Sequence, residues 1–194
     1  LIDFDEEEVD NIYFWGTAYT QTKESDNFRN NLEKILKEYF WECEQFFSEP
    51  DIIIETSSKI IFAEIKLKSG NNFTNIIKDN YLKNEYYKDI EKAKRSKCYE
   101  LVRNWSIGNS IAEKYKKEFI LLNIGLKQKI NLDDENTNEK SFEESLNNKN
   151  NFNILYWDDI LSQIKNNVDD WLYNDIEKRI NFIKEQLKNA PNFA

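Results

Sequence analysis

Between Pro50 and Gly70 the chain reads PDIIIETSSKIIFAEIKLKSG, two apolar, largely β-branched runs around a serine pair. Runs of this length and composition, bounded by turn residues, signal strands, and two so close together specify a hairpin. With Ser57-Ser58 as a two-residue turn, Thr56 faces Lys59, Ile53 faces Phe62 and Asp51 faces Glu64. Alternation then sets Asp51, Ile53 and Glu55 on the same face as Ile60, Phe62, Glu64, Lys66 and Lys68. The opposite face, Ile52, Ile54, Ile61, Ala63, Ile65 and Leu67, is apolar throughout and is expected to be the core face. A hairpin this apolar must be packed within a sheet. The fold is therefore limited to one with a buried sheet that carries charge at one end.

Two carboxylates directly opposite one another repel, and something must compensate. A divalent cation between Asp51 and Glu64 would do so, and an all-oxygen donor set suits Mg²⁺, with Mn²⁺ as a substitute. Lys66 projects from the same face two residues beyond Glu64. It could hold an attacking water or offset charge growing on a phosphate. Metal plus lysine is a device for phosphodiester hydrolysis that needs no histidine. The same residues also fit a salt-bridged strand end in which Lys66 neutralises both carboxylates, and spacing alone leaves the two readings open.

The absence of histidine from all 194 residues bears on that choice. It removes Ser-His-Asp and Cys-His triads, two-histidine zinc sites and every nuclease chemistry with a histidine base. Net charge is −9, but its distribution is uneven: residues 1–49 carry −9, residues 50–130 carry +6 and residues 131–194 carry −6. The basic segment contains the hairpin, and local field steers a phosphate ligand more than total charge does. Cys43 and Cys98 both fall in helical patterns, Cys43 on an apolar face, and read as reduced packing cysteines. That usage, an acidic start (LIDFDEEEVD) unlike a secretory signal, and no apolar run of roughly 20 residues lead to the expectation of a cytoplasmic protein with no membrane partner.

Along the chain, residues 1–20 read as an irregular lead-in covering one edge of the core. Apolar residues from Phe28 to Phe47 recur at spacings of three and four, predicting a helix over about 22–47 capped by Thr22, Ser25 or Asp26. The hairpin strands are expected near 50–56 and 60–68. Residues 74–117 read as one or two helices, broken near Gly108. Phe119–Lys127 is a nearly continuous apolar strand, hence central in its sheet. Residues 130–151 form a polar surface loop or insertion, FNILYW a fourth strand, and Asp158 or Asp159 caps helices that run to about Lys188. The whole reads as one α/β domain, 1–194, with helices over a mixed sheet.

A strand opened by Pro50-Asp51 and a second one ending Glu64-Ile65-Lys66 resemble the PD-(D/E)XK nuclease superfamily. The order of elements over roughly 22–165 is similar to that family's. The resemblance implies a restriction-endonuclease-like mixed central sheet flanked by helices, and a Mg²⁺-dependent nuclease, endonuclease rather than exonuclease, acting on DNA in preference to RNA. A role in restriction or anti-phage defence would follow. Asp51 and Glu64 would be metal ligands, with the carbonyl of Ile65 a third, and Lys66 the catalytic lysine. A further acid from the preceding helix would be Glu24, preferred here, or Glu33. On the helix after the hairpin, in CYELVRNW, Arg103 would grip a phosphate oxygen with the bidentate geometry that suits arginine, and Lys68 would join the substrate contacts. The glutamine often found in that neighbourhood is missing, with Glu100 nearby.

KAKRSK at 92–97 could track a nucleic-acid backbone but reads first as a solvated helix face. Trp15, Trp41 and Trp105 are expected in the core. The alternative to an enzyme is an inactive nuclease-fold domain serving as a nucleic-acid- or protein-binding scaffold. The acidic ends point that way, since a long duplex would then need basic surface from a homodimer or a partner domain.

Overall fold

The computed structural model describes residues 8–189 apart from 16, 44–46, 48, 68, 72 and 131–136. Its sheet has six strands: β1 (Val9–Phe14), β2 (Thr17–Ala18), β3 (Ile52–Thr56), β4 (Lys59–Ile65), β5 (Glu118–Gly125) and β6 (Phe152–Tyr156). They lie in the order β2-β1-β3-β4-β5-β6. The first four are joined antiparallel, whereas β5 and β6 add in parallel. The fold is an open, mixed α/β sheet with helices against it. The lead-in expected to be irregular is instead the β1–β2 ribbon, because NIYF presents aromatic and β-branched residues to the edge of β3.

The hairpin keeps its expected register. Ile52 pairs with Ala63, Ile53 with Phe62 and Glu55 with Ile60. The Thr56 hydroxyl accepts from the Lys59 N–H at 2.9 Å and closes the turn. Which face holds the main core differs from expectation. Ile53, Ile60 and Phe62 join Phe119 and Leu121 in the large core beneath helices α1 (Lys23–Phe40) and α3 (Tyr99–Tyr115). The all-apolar face makes a smaller cluster of Ile61, Ala63, Ile120 and Leu122. The charged end of the hairpin therefore lies on the face that the helices cover.

Helix α1 starts where Thr22 accepts from the Ser25 N–H at 3.1 Å, while Ser25 Oγ accepts from the Thr22 N–H at 2.9 Å. It stops seven residues earlier than its apolar periodicity suggests. Trp41 turns left-handed (φ 53°), leaving Cys43 exposed beyond the helix rather than on its packed face. Residues 74–117 hold a single 3₁₀ turn (Asp79–Tyr81), the short helix α2 (Ile90–Ser96) and then α3. Gly108 does not break α3. A Cβ there would come within 2.0 Å of the Phe119 ring, so the glycine lets helix and strand approach closely.

The polar stretch 130–151 contains helix α4 (Asn138–Ser145), anchored by the fully buried Phe142. Helices α5 (Trp157–Ile164) and α6 (Asp170–Asn189) close the chain around Leu126, Leu161 and Ile180. Asp158 and Asp159 sit in the first turn of α5 and do not cap it; Tyr156 holds that position without a side-chain bond. Trp105 is core as expected, whereas Trp15 and Trp41 are exposed. No helix among the described residues is long and apolar enough to cross a membrane.

Candidate active site

At the far end of the hairpin from its turn, the register carries Asp51 across from Glu64. The Asp51 Oδ2 accepts from the N–H of Ile65 at 2.7 Å, which fixes the carboxylate against the end of β4. Its other oxygen makes no bond among the described residues. Glu64 and Lys66 are only 6% and 7% exposed. One turn apart on α3, Glu100 and Asn104 reach down onto them. Lys66 Nζ lies 2.8 Å from Glu64 Oε1 and 2.6 Å from Glu100 Oε2, and Asn104 Nδ2 donates to Glu64 Oε2 at 2.9 Å. The result is a buried chain of polar groups, Asn104–Glu64–Lys66–Glu100, with Asp51 at its edge.

Burial pushes the Glu64 carboxyl above its ordinary range; Lys66 pulls it back in part, while the charges of Asp51 and Glu100 push the same way as burial. Burial alone would draw the Lys66 ammonium down. Hydrogen bonds to Glu100 and Glu64 outweigh it, leaving the pKa above the usual lysine value. Glu64 and Glu100 thus share one lysine, with the Asp51 carboxylate beside Glu64, and excess negative charge remains at the strand end.

Beside Glu64 on β5, in parallel register, stands Asn123. It is 0% exposed, and neither its Oδ1 nor its Nδ2 has a hydrogen-bond partner among the described residues. An amide buried in this way costs roughly 1–3 kcal/mol. It borders the same polar chain, on the face packed beneath α3.

Arg103, also on α3, spends its Nε on Asn104 Oδ1 at 3.1 Å, and its guanidinium lies over the Tyr99 ring at 5.9 Å. No carboxylate among the described residues pairs with it. Lys68 lies outside the described residues. Glu24 is not brought to this centre. The first turn of α1 lines a separate cavity with Asp10, Glu55 and Tyr115, at the turn end of the hairpin. Glu33 pairs with Arg29 at 3.0 Å. The middle of α1 and the segment after it lie near the chain leading into Asp51, since Arg29 and Glu33, with Glu42 beyond the helix, all act on the Glu49 carboxyl. Position within the helix points to Glu24, but the way α1 lies over the sheet puts that residue in the separate cavity.

The basic run of α2 is largely a solvated face, with Lys92 paired to Glu144 at 2.5 Å and Lys94 to Asp79 at 3.1 Å. Asn104, Asn123 and the bridging role of Glu100 are the residues that the sequence did not reveal. The one available signal was a polar pair at four-residue spacing beside the buried stripe of Leu101 and Trp105.

As a metal centre the residues are sparse, and both Glu64 oxygens already have partners in Lys66 and Asn104. No group of three acidic, cysteine or histidine side chains that could hold an ion occurs among the described residues. The chain would offer Asp51, Glu64 and the Ile65 carbonyl, all oxygen, leaving the rest of the shell to water. That is the arrangement Mg²⁺ prefers, and the residual negative charge favours a dication. Compared with protein-family models, with curated proteins and with solved structures, the chain matches none.

Proposed function

We propose that this protein is a metal-dependent nuclease that hydrolyses DNA phosphodiester bonds at the Asp51–Glu64–Lys66 centre. The observation that carries this reading is the burial of a carboxylate and a lysine side by side at a strand end, under a helix, where excess negative charge is left uncompensated. Asp51, Glu64 and the Ile65 carbonyl would hold Mg²⁺, which when bound makes water more acidic and draws charge off the phosphate.

The chain's own contribution follows from its bonds. Lys66 keeps its proton at neutral pH because its pKa is raised, so it donates to a phosphate oxygen or to the attacking water rather than removing a proton. Asn104 fixes the Glu64 carboxylate from the side opposite Lys66. The Ile65 N–H fixes Asp51. Water adds to phosphorus, the bond to the leaving sugar oxygen breaks, and that oxygen takes up a proton.

One observation favours a second reading. Lys66 already bridges Glu64 and Glu100, so the buried charges are partly self-compensated, as in a scaffold domain that binds without turnover. Plasmid and single-stranded substrates with Mg²⁺ or Mn²⁺ separate the two. Asp51→Ala and Lys66→Met are expected to lose at least about 100-fold in cleavage rate. Equal cleavage by wild type and both variants, or none by any, overturns the nuclease reading.

A further inference from the structure

Next to the carboxylate–lysine centre runs an open groove of about 420 Å³, lined by Thr74, Ile76, Lys78, Tyr99, Glu100 and Arg103. Glu100 belongs to both: its Oε2 receives Lys66, while its side chain forms part of the groove wall. The far wall is held in place. Phe73 bridges to Cys98, and the Thr74 N–H donates to the Lys97 carbonyl at 2.9 Å, tying segment 73–78 to the start of α3.

The chemistry of the lining is mixed in a particular way. Ile76, in the lining, is 76% exposed, and Phe73, just before the lining segment, is 48% exposed. The Arg103 guanidinium lies 5.9 Å over the Tyr99 ring, giving the groove an aromatic surface with a cation on it. Lys78 and Arg103 both face the groove, and no carboxylate among the described residues pairs with either. Two cations without a carboxylate partner among the described residues, beside an aromatic and an aliphatic surface, match a phosphodiester backbone whose bases are unpaired. Base faces are available for stacking only when the strand is single. A duplex hides those faces and presents two rows of phosphate, which call for a long basic surface. A chain of net charge −9 with acidic ends is poorly suited to supply one.

We propose that this groove binds unpaired bases of single-stranded DNA, so that the strand reaches the Asp51–Glu64–Lys66 centre as a single strand. The proposal rests on the nuclease reading, which left the strandedness of the substrate open.

The test is binding without turnover. In EDTA, the anisotropy of a labelled oligonucleotide of about 12 nucleotides is compared with that of the same strand annealed to its complement. The single strand is expected to bind about tenfold tighter. Ile76→Ser, at an exposed position that does not threaten folding, and Arg103→Ala should each weaken single-strand binding by about three- to tenfold. Lys78→Ala should lower the salt slope by about 0.7. Equal or tighter duplex binding, or single-strand binding unchanged by both Ile76→Ser and Arg103→Ala, overturns the groove. Its failure is distinguishable from failure of the nuclease reading. Duplex cleavage lost in Asp51→Ala, with no single-strand preference, removes the groove and keeps the nuclease. Single-strand binding weakened by the groove variants, with no cleavage in Mg²⁺ or Mn²⁺, keeps the groove and removes the nuclease.

Discussion

Lys66 lies between Glu64 and Glu100 with its side chain more than nine-tenths buried, and this makes it the residue whose loss is felt most. Removing one partner from a buried pair leaves an uncompensated charge and costs about 3–5 kcal/mol. Lys66→Met should therefore destabilise by about that amount at neutral pH, read from urea unfolding. The pH dependence has a definite sign. The folded-state pKa of Glu64 is already raised above 4.5, so ionising it lowers stability as pH climbs from 4.5 through the raised value, with a plateau beyond. Without Lys66 that pKa rises further. The penalty of Lys66→Met should shrink as pH falls into the range where folded Glu64 takes up a proton. In the wild type the raised Lys66 pKa adds stability that is fully present below 10.5 and is lost as pH rises through the folded value. A variant penalty that does not change with pH would contradict this account of the pair.

Elements are joined here by close approaches that local pattern does not report. Gly108 reads as a break from sequence, because glycine is a poor helix former. In the fold it is the contact between α3 and β5, and a Cβ would meet Phe119 at 2.0 Å. Gly108→Ala should therefore destabilise by about 1–3 kcal/mol from overpacking, although alanine is the better helix former. Thermal unfolding of Gly108→Ala alone and combined with Phe119→Leu checks this: the second change should restore much of the loss, and no rescue would locate the strain elsewhere. The same distinction separates what was legible in the sequence from what was not. The hairpin register was readable because Ser57-Ser58 and the alternation of Ile53, Phe62 and Glu64 fix it locally. The meeting of Glu100 with Lys66 and of Asn104 with Glu64, 34 and 40 residues apart, depends on how α3 crosses the sheet. So does the separation of Glu24 from Asp51. The β1–β2 ribbon is not legible in the local pattern because its strand residues follow an acidic stretch and gain their place by pairing with β3.

Across the whole molecule, stability should be graded from the centre of the sheet outward. Strands β4 and β5 are each paired on both sides, and both of their faces are packed. Strand β2 is two residues at an edge, and α6 packs around Leu126 and Leu161 at the other side of the fold. In native-state hydrogen exchange, the amides of Ile61, Phe62, Leu121 and Leu122, within the β4–β5 ladder, should open only with global unfolding. Those of Thr17, Ala18 and α6 should exchange through smaller openings. Uniform protection over β2, α6 and β4 would mean that the chain opens as a single unit. On this grading the carboxylate–lysine centre belongs to the most rigid part of the protein, and the groove wall at 73–78 to a segment pinned at Phe73 and Thr74.

The unpartnered amide of Asn123 then takes on a further meaning. It stands in the strand expected to open last, fully buried and beside Glu64 in the parallel register. A buried amide left without a partner costs the sheet about 1–3 kcal/mol, and that cost falls beside the buried glutamate. Such concessions concentrate where a protein trades robustness for activity.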